Sequence, residues 1–362
     1  MVYRVLGLMS GSSLDGLDIA FTEFHENGGK WSYEILEADC YPYSTDWMQK
    51  LKNATILPAA DYLLLHTEYG HYIGNQVKRF IEEKGLHYQV SLIASHGHTT
   101  FHMPSKKMTA QLGDGAAISA ETRLPVVTDL RAVDVALGGE GAPIVPIGEK
   151  LLFDNYDLFL NLGGIANISY KSEKYIAFDV CPANRVLNML ANKLGKEFDE
   201  DGKIAAAGKV NTGLLEKLNA LDYYKLSFPK SLANEFGTEI VFPMILDSGA
   251  AIGDGLRTYV EHICYQLKKS ISGLPLSQGG HRLLPTGGGA LNHFLIRRLE
   301  EELLPLDIQI SMPDVKLVNY KEAMIMAFIG ILRWRQENNV LSSVTGAEKD
   351  SIGGALWNGQ EA

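Results

Sequence analysis

Glycine in this chain is bunched, and the bunching constrains the fold more than any other feature. Many of the 36 glycines fall in four short segments, GSSLDG (11–16), LGGEGAP (137–143), NLGGIAN (161–167) and TGGGALN (286–292). Scattered glycines mark only flexible turns, whereas grouped ones mark places where the backbone must stay bare. Two of the groups separate pairs of apolar runs. Val2–Met9 and Leu17–Phe24 flank the first, and Leu158–Leu162 and Ile165–Tyr170 flank the third, so each pair reads as a β-hairpin closed by a glycine turn.

The rest of the chain alternates. After the first hairpin come a strand at Tyr33–Ala38, a stretch of helical period over 59–84, a buried strand at Val90–Ser95, a helix at Ala116–Arg123 and a strand at Pro125–Leu130. Near Gly138 the pattern begins again. Strand Tyr175–Asp179 follows the second hairpin, and helices are expected at Ala183–Leu194 and Ile252–Lys269. Strand Arg282–Pro285, helix Asn292–Leu304, strand Asp307–Ser311 and helix Tyr320–Glu337 complete it. Two hairpin-led α/β halves predict a pair of related lobes facing a cleft.

Composition narrows the function classes. With 362 residues, 46% hydrophobic and 21% charged, the chain has apolar material for a core in each half. A net charge of -10 argues against non-specific nucleic-acid binding, which needs a basic footprint. It does not exclude an anionic ligand, because backbone N–H groups in glycine loops bind phosphate by themselves. Cys40, Cys181 and Cys264 lie far apart with no CxxC pair, which predicts neither disulfides nor a zinc module and fits a reducing compartment. The start has no secretory pattern and no apolar run reaches the length of a membrane span, so a cytoplasmic protein is expected.

Six segments carry candidate chemistry. Gly11, Ser12, Ser13, Leu14, Asp15, Gly16, Leu17 and Asp18 form a small-residue turn able to ring phosphate oxygens, or an ordinary hairpin turn. It is no Walker loop, since no lysine follows the glycines. Gly163 and Gly164 repeat the same strand–turn–strand logic, which suits a nucleotide gripped by two loops. Gly287, Gly288 and Gly289, between a strand and a helix, leave a bare surface for a base or ribose. Asp179 stands at a strand end, where a partly desolvated carboxylate can serve as general base; spacing alone favours an N-cap for the helix that follows. His96, His98 and His102 invite a metal reading, but no acid or cysteine is near them in sequence, and histidines bonded to backbone or a polyol ligand fit better. Arg131 can orient a carboxylate or sugar oxygens, or form a salt bridge to an acid such as Asp134.

Taken in order, GLMSGSSLDGLD, SHGHTTFHMP, TAQLGDGAAIS, TDLRAVDVALGGEGAPIVP, NLGGIANIS, FDVCPAN, AAAGKV, FPKS, LPTGGGALN, KEAMIMAF and VTGA resemble the anhydro-N-acetylmuramic acid kinases, from Gly7 to Ala347. The resemblance implies a two-lobed actin-like, ribonuclease H-like duplicated fold with ATP and sugar in an interlobe cleft. It puts residues 1–135 and 338–362 in one lobe and 136–337 in the other. Gly11 to Asp18 match the family's first phosphate loop, Gly163 and Gly164 its second phosphate hairpin, and Gly287 to Gly289 its adenosine loop. Asp179 matches the general base, while His98 (where the family usually has glutamine), Arg131 and Glu322 match sugar-site positions. ATP and Mg²⁺ are the implied cofactors, an anhydrosugar the implied substrate, and a homodimer is left open, as are the metal ligands.

The family usually shows Asp-Thr-Gly-Pro-Gly-Asn where this chain has Asp179, Val180, Cys181, Pro182, Ala183 and Asn184. Larger side chains beside the base are expected to narrow the phosphate approach or shift substrate choice. Three other activities therefore stay open: a kinase of another anhydrosugar such as levoglucosan, a non-catalytic ATP-binding switch of the actin/Hsp70 kind, and a metal hydrolase using the histidines.

Overall fold

Strands β1 (Val2–Ser10), β2 (Gly16–Asn27) and β3 (Lys30–Pro42) form an antiparallel meander, with Val5 opposite Thr22 and Phe21 opposite Glu37. The computed structural model describes residues 1–11 and 13–359; Ser12, expected in the first phosphate loop, lies outside them. Helices α1 (Thr45–Lys52) and α2 (Ala59–Glu83) follow. Leu65, Tyr69, Ile73, Val77 and Phe80 recur every three or four residues along α2, so one stripe faces the sheet and is buried. The chain then runs through β4 (Leu92–Met103), β5 (Met108–Leu112), α3 (Gly115–Thr122), β6 (Val126–Thr128), α4 (Ala132–Ala136) and α5 (Pro146–Leu152). Strand β1 pairs parallel with β4, and β4 parallel with β6.

The same order then recurs. Strands β7 (Leu158–Leu162), β8 (Ile165–Tyr170) and β9 (Ile176–Pro182) make a second antiparallel meander. Helices α6 (Asn184–Asn192), α7 (Lys203–Ala207), α8 (Thr212–Asn219), α9 (Phe242–Asp247) and α10 (Ile252–Ser272) lead to β10 (His281–Thr286), α11 (His293–Leu303) and β11 (Ile308–Ile310). Strand β10 pairs parallel with β7, and β11 parallel with β10. Helix α12 (Val315–Trp334), α13 (Ser342–Thr345) and β12 (Ala355–Trp357) finish the chain, β12 pairing antiparallel with β6.

In each sheet three antiparallel strands are followed by two parallel ones in the order 3-2-1-4-5. That is the ribonuclease H-like arrangement, present twice. The expected α/β duplicated fold is therefore visible in the strand pairings themselves. The contacts divide the chain into Met1–Phe153 with Tyr320–Ala362, and Asp154–Asn319. These bounds differ from the sequence-based 135/136 and 337/338 for a packing reason. The Phe153 ring lies tilted against Tyr33 of β3 with centroids 5.2 Å apart, and a side chain at Gly148 of α5 would strike Ile325 of α12, so both segments belong to the first unit.

Each unit has its own core. In the first, Leu6, Leu8, Ile19, Phe21, Ile93 and Val126 from the sheet meet Tyr69, Ile73 and Phe80 of α2. In the second, Leu158, Leu160, Ile168, Val180 and Leu283 meet Leu187, Tyr259, Ile263 and Leu295.

Candidate functional site

The first loop joins β1 to β2 in the first unit. The Leu14 N–H reaches the Gly11 carbonyl at 3.4 Å, with Leu14 in the left-handed region at φ 61°. Its two glycines differ in origin. A Cβ on Gly16 would lie 2.6 Å from the Tyr41 carbonyl and 2.7 Å from Cys40 Sγ, so β3 itself demands glycine there. A Cβ on Gly11 would meet Ser13 Oγ at 3.5 Å and Ser13 N at 4.0 Å, ordinary contacts, so its described neighbours do not require its bareness. Leu17 is buried in the core and offers a ligand backbone alone. Ser13 and Asp15 are exposed.

Asp18 sits on β2 between Met9 and Cys40 of the flanking strands. Burial, with the charges of Glu322 and Asp15 adding to it against the Cys40 hydrogen bond, raises its carboxyl to about 6. Glu322 reaches this neighbourhood because α12 packs hard on β1: a side chain at Gly7 would overlap the Ala323 carbonyl. Sequence spacing gives no sign of this approach.

The histidines lie on strand β4, not in a loop, and each ring has its own partner. The Arg131 Nε donates to His96 Nε2 at 2.8 Å, which leaves the His96 proton on Nδ1, 2.9 Å from the Gly97 carbonyl. Burial and the Arg131 charge push His96 down to about 3, so it stays neutral. His98 Nδ1 is 2.9 Å from Ser10 Oγ, which accepts from Tyr43 OH at 2.7 Å; Tyr43 and Tyr69 hydroxyls are 2.5 Å apart. The buried Ser10 hydroxyl then donates to His98, leaving a neutral ring, held down to about 4 by burial, with its proton on Nε2. His102 Nδ1 lies 3.1 Å from Thr109 Oγ1. Among the described residues no three His, Cys, Asp or Glu side chains gather to hold a metal.

Arg131 does not take Asp134 as its hydrogen-bond partner. Its Nη1 donates to the Gly141 carbonyl at 2.6 Å. Asp134, fully buried, instead accepts from Gly141 N–H at 2.8 Å and from Thr345 Oγ1 at 2.7 Å, pinning the Gly138–Gly141 loop from below. Burial lowers Arg131 to about 10 against the pull of Glu322 and Asp134. First loop, His98, Arg131 and Glu322 thus all belong to the first unit.

In the second unit Asp179 lies within β9 opposite Asn167, and it is not a helix cap. The N-cap of α6 is Ala183, with no side-chain bond, so the sequence preference for a capping Asp179 is overturned. Its Oδ2 accepts from Leu232 N–H at 2.9 Å, its own N–H donates to the Lys230 carbonyl at 3.1 Å, and its carbonyl accepts from Tyr223 OH at 2.7 Å. Among the described residues no hydrogen bond engages Oδ1. Burial raises the carboxyl above the ordinary aspartate range, and the Leu232 N–H partly offsets it. The segment around Lys230, far off in sequence, is thus what fixes Asp179; no spacing rule links the two.

The second hairpin and the triglycine turn come together. Asn184 Nδ2 donates to the Leu162 carbonyl at 2.8 Å. A Cβ on Gly289 would lie 2.8 Å from both Asn184 Oδ1 and Leu162 Cβ, and one on Gly287 2.5 Å from Asn161 Oδ1. Those glycines are required by packing, whereas a Cβ on Gly163 or Gly164 would meet neighbours no nearer than 3.6 Å. The substituted residues after Asp179, Val180, Cys181 and Ala183, are fully buried in the core of the unit.

A family model described as anhydro-N-acetylmuramic acid kinase matches residues 3–359. The chain belongs to the anhydro-N-acetylmuramic acid kinase family. It is accordingly an enzyme, an ATP-dependent sugar kinase by family. A protein of Vibrio vulnificus (strain CMCP6) named anhydro-N-acetylmuramic acid kinase is 31% identical over 370 residues, covering 97% of each chain. One of Shewanella woodyi with the same name is 31% identical over 372 residues, covering 97% of this chain and 98% of that one. Among solved structures, Acidaminococcus fermentans (R)-2-hydroxyglutaryl-CoA dehydratase component A aligns at 14% identity, over 91% of this chain and 97% of that one. Its TM-score is 0.47, too slight to bear on fold or reaction. Among the described residues no helix is long and apolar enough to cross a membrane.

Proposed function

We propose that this anhydro-N-acetylmuramic acid kinase family member uses ATP to open 1,6-anhydro-N-acetylmuramic acid and phosphorylate O6, giving N-acetylmuramic acid 6-phosphate and ADP in peptidoglycan recycling. The observation that carries the chemistry is Asp179: a partly desolvated carboxylate, oriented through Oδ2 by Leu232 N–H and with Oδ1 receiving no hydrogen bond from the described residues. In this reading Oδ1 takes a proton from water as its oxygen attacks the anomeric carbon. The bond from that carbon to O6 breaks, and O6 takes the γ-phosphoryl group. Because phosphoryl transfer captures the leaving oxygen, the second acid of an ordinary glycosidase is unnecessary.

The roles of the other residues follow from their settings. Gly11 to Asp18 and Gly163–Gly164 would bind the phosphates, and Gly287 to Gly289 the adenosine. His98 with its Nε2 proton, Arg131 and Glu322 would hold the sugar. Mg²⁺ is bound mostly by phosphate oxygens and water and takes only one or two protein carboxylates. Asp18, whose charge is opposed by burial and by Glu322 and Asp15, is the carboxylate a cation would suit. Such an ion would neutralise charge on the transferring phosphoryl group.

The test is ADP release measured with the muramyl anhydrosugar and with levoglucosan, the product identified by mass. Turnover on the muramyl sugar, lost in Asp179→Asn by roughly a thousandfold or more while ATP still binds, is the expected outcome. Turnover on levoglucosan alone, or a near-wild-type rate in the variant, would overturn the reading.

A further inference from the structure

We propose that Arg185 anchors the nucleotide's phosphates in the second unit, a role that rests on the ATP-dependent reading above. Arg185 is the second residue of α6, whose start is hydrogen-bonded to the carbonyls of the Gly163–Gly164 turn. Its N–H reaches the Gly164 carbonyl at 3.4 Å. A Cβ placed on Gly164 would lie 3.7 Å from Arg185 Nε and 3.9 Å from Nη2, so the guanidinium lies against the turn.

The Nε of that guanidinium is buried and, among the described residues, has no hydrogen-bond partner. Among the described residues no carboxylate pairs with Arg185, whereas Arg4, Arg79, Arg257, Arg298 and Arg335 each hold a glutamate. A buried cationic N–H without an acceptor costs free energy that an arriving anion recovers.

The start of the helix does not supply that positive charge. The N–H groups of Ala183, Asn184 and Arg185 are already given to the carbonyls of Gly164, Gly163 and Gly164. Beside the glycine backbone of this turn the guanidinium supplies a cation, whose planar fork matches two phosphate oxygens. Gly163 and Gly164 keep the space beside it clear, which the fold alone does not require.

Two anions are available in the proposed reaction, the nucleotide phosphates and the lactyl carboxylate of the sugar, and the experiment separates them. Affinities of Arg185→Gln and Arg185→Lys for ATP, ADP and adenosine are measured by calorimetry on the full chain, with KM for both substrates. The expected result in Arg185→Gln is a loss of roughly tenfold to a hundredfold for ATP and ADP, the range for one charge-assisted hydrogen-bonded contact, with adenosine unchanged. Arg185→Lys keeps the charge without the fork and should recover part of the loss. Should Arg185→Gln not fold, the Lys variant still decides, by weakened ATP against unchanged adenosine. Unchanged ATP and ADP affinities, an equal loss for adenosine, or a rise confined to the sugar KM would each overturn the proposal. Absence of ATP binding in the unsubstituted protein would sink the kinase reading itself, a separate outcome.

Discussion

Asp18 and Asp179 show how one residue type takes different settings on two topologically matching sheets. Asp18 is hemmed by other acids, Asp179 by apolar surroundings and one backbone N–H. For Asp18 the folded carboxyl lies near 6 against 3.8 for a free one, so the fold prefers its protonated form. Stability therefore falls as pH rises from about 4 to about 6, and the deficit persists above. Asp18→Asn should stabilise the protein at pH 8 by no more than about 3 kcal/mol, with a smaller gain at pH 5. Urea unfolding at the two pH values checks it; equal gains at both would remove the explanation. The substitution should also lower kinase activity if Asp18 serves the metal.

At the scale of elements, the glycine groups divide into those the fold demands and those it does not. Gly287 has φ 79°, and an added Cβ would crowd Asn161, so Gly287→Ala should cost about 1–3 kcal/mol in urea unfolding. Gly163→Ala should leave stability within about 0.5 kcal/mol, because its neighbours stand at ordinary contact, while nucleotide affinity measured by calorimetry falls. A destabilised Gly163→Ala with unchanged nucleotide affinity would reverse the assignment. The hairpins and the strands around them were legible because apolar runs broken by glycine have few other solutions. Strand β5 and the extension of β4 through the histidines were not, since polar residues there pair without a clean apolar–polar alternation.

For the whole molecule, continuity of the chain matters. Among the described residues the core of the second unit runs from Leu158 to Ile310, and those strands and helices are contiguous in sequence. The first unit needs its sheet completed by β12 and by α12 lying on Gly7, both from the end of the chain. The segment Asp154–Asn319 expressed alone should therefore fold with a cooperative urea transition, read by circular dichroism and tryptophan-independent probes such as tyrosine fluorescence. Residues 1–153 alone should not. A molten Asp154–Asn319 segment would show that its core depends on the other unit.

Sequence by itself determined the two hairpin-led sheets, the positions of the bare turns and a strand ending at Asp179, but not that Asp179 pairs within that strand instead of capping a helix. Those follow from local rules: period, turn chemistry and chain order. Only tertiary packing decided that Val180, Cys181 and Ala183 face the core, that Leu232 holds Asp179, that Glu322 stands beside Asp18, and that Arg185 lies against Gly164 with its buried Nε unbonded among the described residues. Each of these depends on which surfaces meet across distances in sequence that no spacing encodes, and the burial that raises Asp18 and Asp179 and lowers His96 and His98 exists only once those surfaces have met.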